Sequence, residues 1–276
     1  MNGDVLLEVE GLSKQYGRGR RAHRALEDVS FDVRQGEILG LVGESGSGKS
    51  TIIRCLVGLE KESAGTIRYD GIDPTHPKHG ELDRYRREVQ MVFQDPYSSL
   101  DPRMTVRQII EEPMLVMGGF SERERRARID ELMAIVGLLP EHLDRYPRHF
   151  SGGQRQRIAI VRALVVGPRV LLCDEPVSAL DVSVQAQVLN LLKDMQRQLD
   201  LTVLFVSHDL AVVKYLCSRL VVLNRGVIAE SGPVAEIYAN PQDPYTRSLL
   251  EAVPIPDPEQ ERARRARRLD RLAATA

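Results

Sequence analysis

The sequence predicts an α/β fold organised around a largely parallel β-sheet, and three observations carry that expectation. Short apolar runs alternate with longer segments of helical period. Residues 38–42 and 170–173 are continuously apolar, as in strands covered on both faces. The first of these runs leads straight into a glycine-rich loop and then a helix-forming segment.

Taken in order, residues 5–9 and 29–33 alternate apolar with polar, and 38–42 is a short run bounded by glycines. A helix is expected over 48–59, then a strand over 65–69 that ends at the Asp70-Gly71 turn. The middle third reads as helical. Ser121 and Glu124 form an S-x-x-E capping box, followed by Ile129, Leu132, Met133 and Val136 at helical spacing. Pro140 and Pro147 bound the next loop, and a second helix is expected from Ser151 to Val166, stopping at Gly167-Pro168. Strands then return at 170–173, 201–206 and 220–223. Asp181 and Asp209 cap the helices between them, and Val184, Val188, Leu191, Met195 and Leu199 form the apolar face of the first. After about 236 the chain is proline-rich, then arginine-rich, and no internal repeat is evident.

Composition narrows the class. The 276 residues are 42% apolar and 28% charged, the profile of a globular chain with a sizeable core. With 38 basic against 39 acidic residues the net charge is −1, which argues against a globally basic nucleic-acid binder. No run is long enough for a transmembrane helix, and the start lacks the pattern of a signal peptide. Cys55, Cys173 and Cys217 are odd in number and widely spaced, which fits a reducing compartment and offers no zinc or disulfide framework. Cys173 reads as a small buried hydrophobe, and His76, His79, His142 and His149 lack ligand spacing.

The segment Gly43-Glu44-Ser45-Gly46-Ser47-Gly48-Lys49-Ser50-Thr51 matches G-x-x-x-x-G-K-S/T between a strand and a helix. Glycines there let several N–H groups face one anion, and the helix start adds partial positive charge. Lys49 is placed to reach the β- and γ-phosphates, and the Ser50 hydroxyl to ligate Mg2+. Asp174 and Glu175 follow the apolar strand 170–173, where an open parallel sheet collects its ligands. Asp174 is the candidate Mg2+ ligand, and Glu175 the candidate base that polarises water.

Ser151-Gly152-Gly153-Gln154-Arg155-Gln156-Arg157 resembles the signature motif of the ABC ATPases, and the other motifs of that family occur in its order. Tyr16 stands at the adenine-stacking position, Gln94 at the Q-loop, Ser178 to Asp181 at the D-loop and His208 at the switch histidine. Residues 94–105, 176–187 and 244–250 are similar to the ATPase subunits of dipeptide and oligopeptide importers, closest to their second (F-type) subunit. The resemblance implies a P-loop NTPase of ABC nucleotide-binding type with a RecA-like parallel-sheet core. It also implies an N-terminal antiparallel β subdomain, a helical subdomain at about 95–165, a cassette over 1–235 and an extension over 236–276. Its ligands would be ATP and Mg2+, with Ser50, Asp174 and Gln94 at the metal. Lys49, Glu175, Gln94 and His208 would act on the γ-phosphate. Ser151, Gly152, Gly153, Gln154 and Asp181 would close over a partner's ATP.

The implied partners are two membrane-spanning permease subunits, a second related ATPase giving a heterodimer, and an extracytoplasmic solute-binding protein. The implied location is peripheral, on the cytoplasmic face of the cell membrane. Similar ATPases serve nickel, glutathione and antimicrobial-peptide importers, so cargo stays open. Family members acting on DNA carry long coiled coils before the signature, and those acting in translation carry tandem cassettes; this chain has neither. A small GTPase would need an N-K-x-D motif, which is absent, and would leave the signature unexplained. Residues 18–24 read as a solvated basic loop. The arginine-rich stretch 261–271 reads as a solvated helix, with anionic lipid contact as the sharper alternative. No cysteine follows Cys217, so no iron–sulfur cluster is expected in the C-terminal region.

Overall fold

The computed structural model describes residues 4–17, 19 and 22–252. Two sheets share the chain. Strands β1 (Val5–Tyr16), β2 (His23–Arg34) and β4 (Ala64–Tyr69) form an antiparallel sheet of order β2-β1-β4. Strands β3 (Ile38–Val42), β5 (Val89–Val92), β6 (Val170–Asp174), β7 (Thr202–Ser207), β8 (Arg219–Asn224) and β9 (Val227–Pro233) form the second. Its order is β5-β6-β7-β3-β8-β9, parallel throughout except for β9 at one edge. The helices are α1 (Lys49–Leu56), α2 (Glu81–Glu88), α3 (Pro96–Ser99), α4 (Val106–Met117), α5 (Glu122–Ile135) and α6 (Gly152–Leu164). They continue with α7 (Val182–Gln198), α8 (Leu210–Leu216), α9 (Val234–Ala239) and α10 (Pro244–Ala252).

The apolar strands divide their side chains between two cores, as the period of two requires. From β6, Leu171 and Cys173 enter the core under α4 to α8, while Val170 and Leu172 face α1 and the antiparallel sheet. Leu39 and Leu41 of β3 meet Leu7, Leu12, Ile52 and Leu56 in that second core, each fully buried. Full burial of such a side chain contributes about 1.5–3 kcal/mol, so covering both faces makes these strands the rigid part of the molecule. Their carboxyl ends sit at one edge, since Val42 pairs with Ser207 and Asp174 with Val206.

Several local expectations change in detail. Strand β1 runs on past residue 9 through a register shift beside Gly11, whose φ is 61°, and so reaches Tyr16. Helix α1 ends at Leu56, short of 59, because Gly58 takes the left-handed conformation. On α7 the buried residues are Val188, Leu189, Leu192 and Met195, whereas Leu191 is half-buried. The face shifts because the helix packs against α6 and α8. The Ser121–Glu124 capping box and the Asp181 and Asp209 caps form as expected. His142 is a core residue: its Nδ1 accepts the Leu139 N–H at 3.1 Å, and its ring meets Phe150 edge-on. All three cysteines are buried and free, and burial pushes the Cys173 thiol up. Residues 18, 20 and 21 and the stretch 261–271 lie outside the described residues.

Candidate nucleotide-binding site

The loop between β3 and α1 is built around a close backbone approach. A Cβ on Gly43 would lie 2.1 Å from the Leu223 carbonyl oxygen, so only glycine lets this turn sit against the end of β8. Gly48 caps α1 in the left-handed conformation, where a Cβ would lie 2.8 Å from the Ala25 carbonyl oxygen. Lys49 is 5% exposed, and its Nζ donates to the Gly43 and Glu44 carbonyls at 2.7 and 2.8 Å. Burial pulls its ammonium down from the ordinary lysine range, against the opposing pull of Glu175 and Asp174. A cation held only by carbonyl dipoles beside a helix N-terminus is well suited to phosphate oxygens.

Strand β6 delivers the acids. Asp174 is 7% exposed, and burial pushes its carboxyl up while the Ser50 hydroxyl works against that shift. Ser50 Oγ lies 3.4 Å from Asp174 Oδ1, a long hydrogen bond. A hydroxyl, a carboxylate and the nearby Gln94 amide are hard oxygen donors, which fits Mg2+ completed by phosphate and water. Among the described residues no group of three or more His, Cys, Asp or Glu could hold a metal by itself.

Glu175 turns out of the strand with φ 45°, in the left-handed region that costs a non-glycine residue about 1–3 kcal/mol and recurs at functional sites. Its N–H donates to the Val206 carbonyl at 3.1 Å, which anchors the turn to β7. The carboxylate then meets two partners. His208 Nδ1 lies 2.9 Å from Glu175 Oε2, and Gln94 Nε2 donates to the same oxygen at 3.4 Å. Three predicted residues from three separate chain segments thus converge on one atom.

The lysine, the loop, Ser50, Thr51, Gln94, Glu175 and His208 line one cleft of about 700 Å³, with Tyr16 at its wall. Lys14 Nζ stands 4.9 Å from the centre of the Tyr16 ring. Five predicted positions lie elsewhere. Ser151 caps α6 reciprocally with Gln154, its Oγ accepting the Gln154 N–H at 3.3 Å. A Cβ on Gly153 would lie 2.3 Å from Val184 Cγ1, so glycine lets α6 close onto α7. Asp181 caps α7 through the Val184 N–H and also accepts the Ser183 hydroxyl. None of Ser151, Gly152, Gly153, Gln154 and Asp181 lines the cleft. The start of α6 thus lies outside the cleft that the start of α1 lines.

Sequence reasoning missed several residues of the cleft wall and one that holds its loop. His23 and Ala25 come from β2, and Leu249 from α10. Tyr245 of α10 accepts the Glu44 N–H on its hydroxyl at 3.2 Å. The resemblance over 244–250 gave Tyr245 no role at the site, since its partner lies 201 positions away.

Comparison with known proteins agrees with this geometry. The family described as ABC transporter matches residues 26–178, and the oligopeptide/dipeptide transporter C-terminal region matches 229–274. A putative peptide import ATP-binding protein of Brucella ovis is 49% identical over 270 residues, covering 98% of this chain and 85% of that protein. The oligopeptide transport ATP-binding protein OppF of Streptococcus pyogenes serotype M1 is 50% identical over 261 residues, covering 94% and 85%. Among solved structures, a dimeric ATP-binding cassette in a post-hydrolysis state bound to ADP and Pi gives a TM-score of 0.74 at 31% identity, covering 83% of this chain and 99% of that one. The cbiO1 subunit from Clostridium perfringens, part of the ABC transporter complex cbiONQ, gives 0.77 at 30% identity, covering 86% and 92%. The chain therefore belongs to the ABC transporter family, as an ATP-binding cassette joined to the oligopeptide/dipeptide transporter C-terminal region.

Proposed function

We propose that this chain is the subunit that binds and hydrolyses ATP to power a peptide importer, working from the cytoplasmic face of the cell membrane. The observation that carries the proposal is the convergence of Lys49, Glu175, Gln94 and His208 on one cleft at the carboxyl ends of β3, β6 and β7. The two curated relatives above, named for peptide import and oligopeptide transport, support the cargo class.

In this reading Lys49 and the amides of Gly46, Ser47, Gly48, Ser50 and Thr51 cradle the β- and γ-phosphates, and Tyr16 stacks on the adenine. Ser50, Asp174 and Gln94 hold Mg2+, which when bound neutralises charge developing on the phosphate oxygens. Glu175 accepts a proton from the attacking water as its oxygen bonds to the γ-phosphorus and the bond to the ADP oxygen breaks. His208 donates to the γ-phosphate and orients the Glu175 carboxylate. Little covalent chemistry falls to the protein; its work is positioning and charge stabilisation.

Ser151, Gly152, Gly153, Gln154 and Asp181 serve the ATP of a second, related ATPase in a head-to-tail pair. The support is that Ser151 to Gln154 form a helix start outside their own cleft, with Asp181 capping the neighbouring α7. Two permease subunits supply the membrane spans, and an extracytoplasmic binding protein delivers the peptide. In line with that division, no helix among the described residues is long and apolar enough to cross a membrane. Residues 94–105 are the proposed permease contact, with Phe93 exposed just before the segment and Tyr97 exposed within it. The test is peptide uptake by cells carrying Lys49→Ala: uptake is expected to fail while the complex still assembles. Unchanged peptide uptake with loss of another solute would reassign the cargo.

A further inference from the structure

Helix α10 belongs to the C-terminal region, yet its first turn touches the phosphate loop. The segment before it is firmly held. The Glu230 carboxylate accepts the Gln242 and Asp243 N–H groups at 2.9 and 3.2 Å, and Asp243 Oδ1 accepts those of Tyr245 and Thr246 at 2.8 and 3.2 Å. Thr246 is 1% exposed. Tyr245 therefore projects from a fixed base.

Its target is one end of a single peptide plane. The Gly43 carbonyl and the Glu44 N–H belong to the same amide group. Lys49 Nζ donates to the carbonyl at 2.7 Å, and the Tyr245 hydroxyl accepts the N–H at 3.2 Å. The plane is pinned from both edges. Once Lys49 moves to phosphate oxygens, the lysine edge is released. The packing of Gly43 against the Leu223 carbonyl then fixes the position of the turn, while the tilt of the amide depends on Tyr245.

We propose that Tyr245 is a positioning residue for the phosphate loop, holding the 43–44 peptide plane when Lys49 engages nucleotide, so that the C-terminal region tunes ATP affinity. This rests on the assignment of residues 43–50 to phosphate binding. A neutral hydrogen bond of this kind is worth about three- to tenfold in affinity.

The experiment measures the Kd for magnesium-ATP on the full chain, and KM and kcat on the assembled complex, for the parent, Tyr245→Phe, Tyr238→Phe and Lys49→Ala. Tyr238 of α9 donates its hydroxyl to the Leu210 carbonyl, so Tyr238→Phe removes an anchor of the same region without touching the loop. Tyr245→Phe is expected to raise Kd and KM about three- to tenfold with kcat changed much less, while Tyr238→Phe leaves Kd unchanged at a similar loss of melting temperature. A smaller rise in Tyr245→Phe, or an equal rise in Tyr238→Phe, would overturn the proposal. If Lys49→Ala bound ATP as tightly as the parent, the phosphate-loop assignment itself would fail, and that outcome is distinct from failure at Tyr245.

Discussion

Lys49 sets the electrostatics of the cleft, because its ammonium is buried and satisfied only by two carbonyls of its own loop. Replacing it with alanine removes a charged hydrogen-bond donor worth about 1.5–3 kcal/mol, so ATP affinity measured by titration should fall by at least about tenfold. Gly153 makes the opposite kind of prediction. In Gly153→Ala the new methyl would sit 2.3 Å from Val184 Cγ1, and overpacking of this kind costs about 1–3 kcal/mol, seen as a lower melting temperature. At this scale most of the site was legible in the sequence. Lys49 and Glu175 carry chemistry that only a few residue types can supply, so the glycine-rich loop and the strand end singled them out, while His208 was placed by the order of the family motifs. The places of Tyr245 and His23 were not legible, because His23 belongs to no motif and Tyr245 meets its partner 201 positions away.

Helices are set by their ends as much as by their faces. Asp209 follows His208 directly, and its carboxylate accepts the Ala211 and Val212 N–H groups at 2.8 and 3.4 Å. Asp209→Ala should therefore cost about 0.5–2 kcal/mol and, with α8 loosened, slow turnover by freeing His208 from its place beside Glu175. Melting and steady-state turnover check the two halves of that expectation. The caps at Ser121, Asp181 and Asp209 could be read because the cap residue and its helix are adjacent in sequence. Helix α4 is harder to read: Pro113 inside it reads as an end, yet the helix continues to Met117. Helix α2 has one buried residue, Tyr85, so no apolar period announces it. Strand β9 is an edge strand with no fully buried position, and it lacks the apolar signal that marked its neighbours.

Across the whole molecule, the two sheets are tied by charge as well as by their shared core. Arg219 of β8 donates to both oxygens of Asp32 in β2 at 2.9 and 3.0 Å, and to Glu37 at 2.9 Å. The Arg219 hydrogen bond holds the Asp32 carboxyl below the usual carboxylate range, with Arg34 adding to it. A carboxyl depressed in the folded state stabilises the fold above its unfolded value of about 3.9, and that contribution is lost as pH falls through the folded value. Asp32→Asn should therefore lower the melting temperature at neutral pH, and the gap to the parent should close under acid. This link was not legible, since nothing in the sequence pairs position 32 with position 219. The parallel sheet was legible, because strands buried on both faces leave little choice of side chain. The most direct test of the central claim, that this cleft hydrolyses ATP with Glu175 as the base, is to follow ATP binding and phosphate release together in Glu175→Gln, on the full chain and in its complex. The account predicts that ATP still binds and stays intact at this site, with release slowed by about 10²-fold or more. Release at the parental rate from a variant that binds ATP would contradict it.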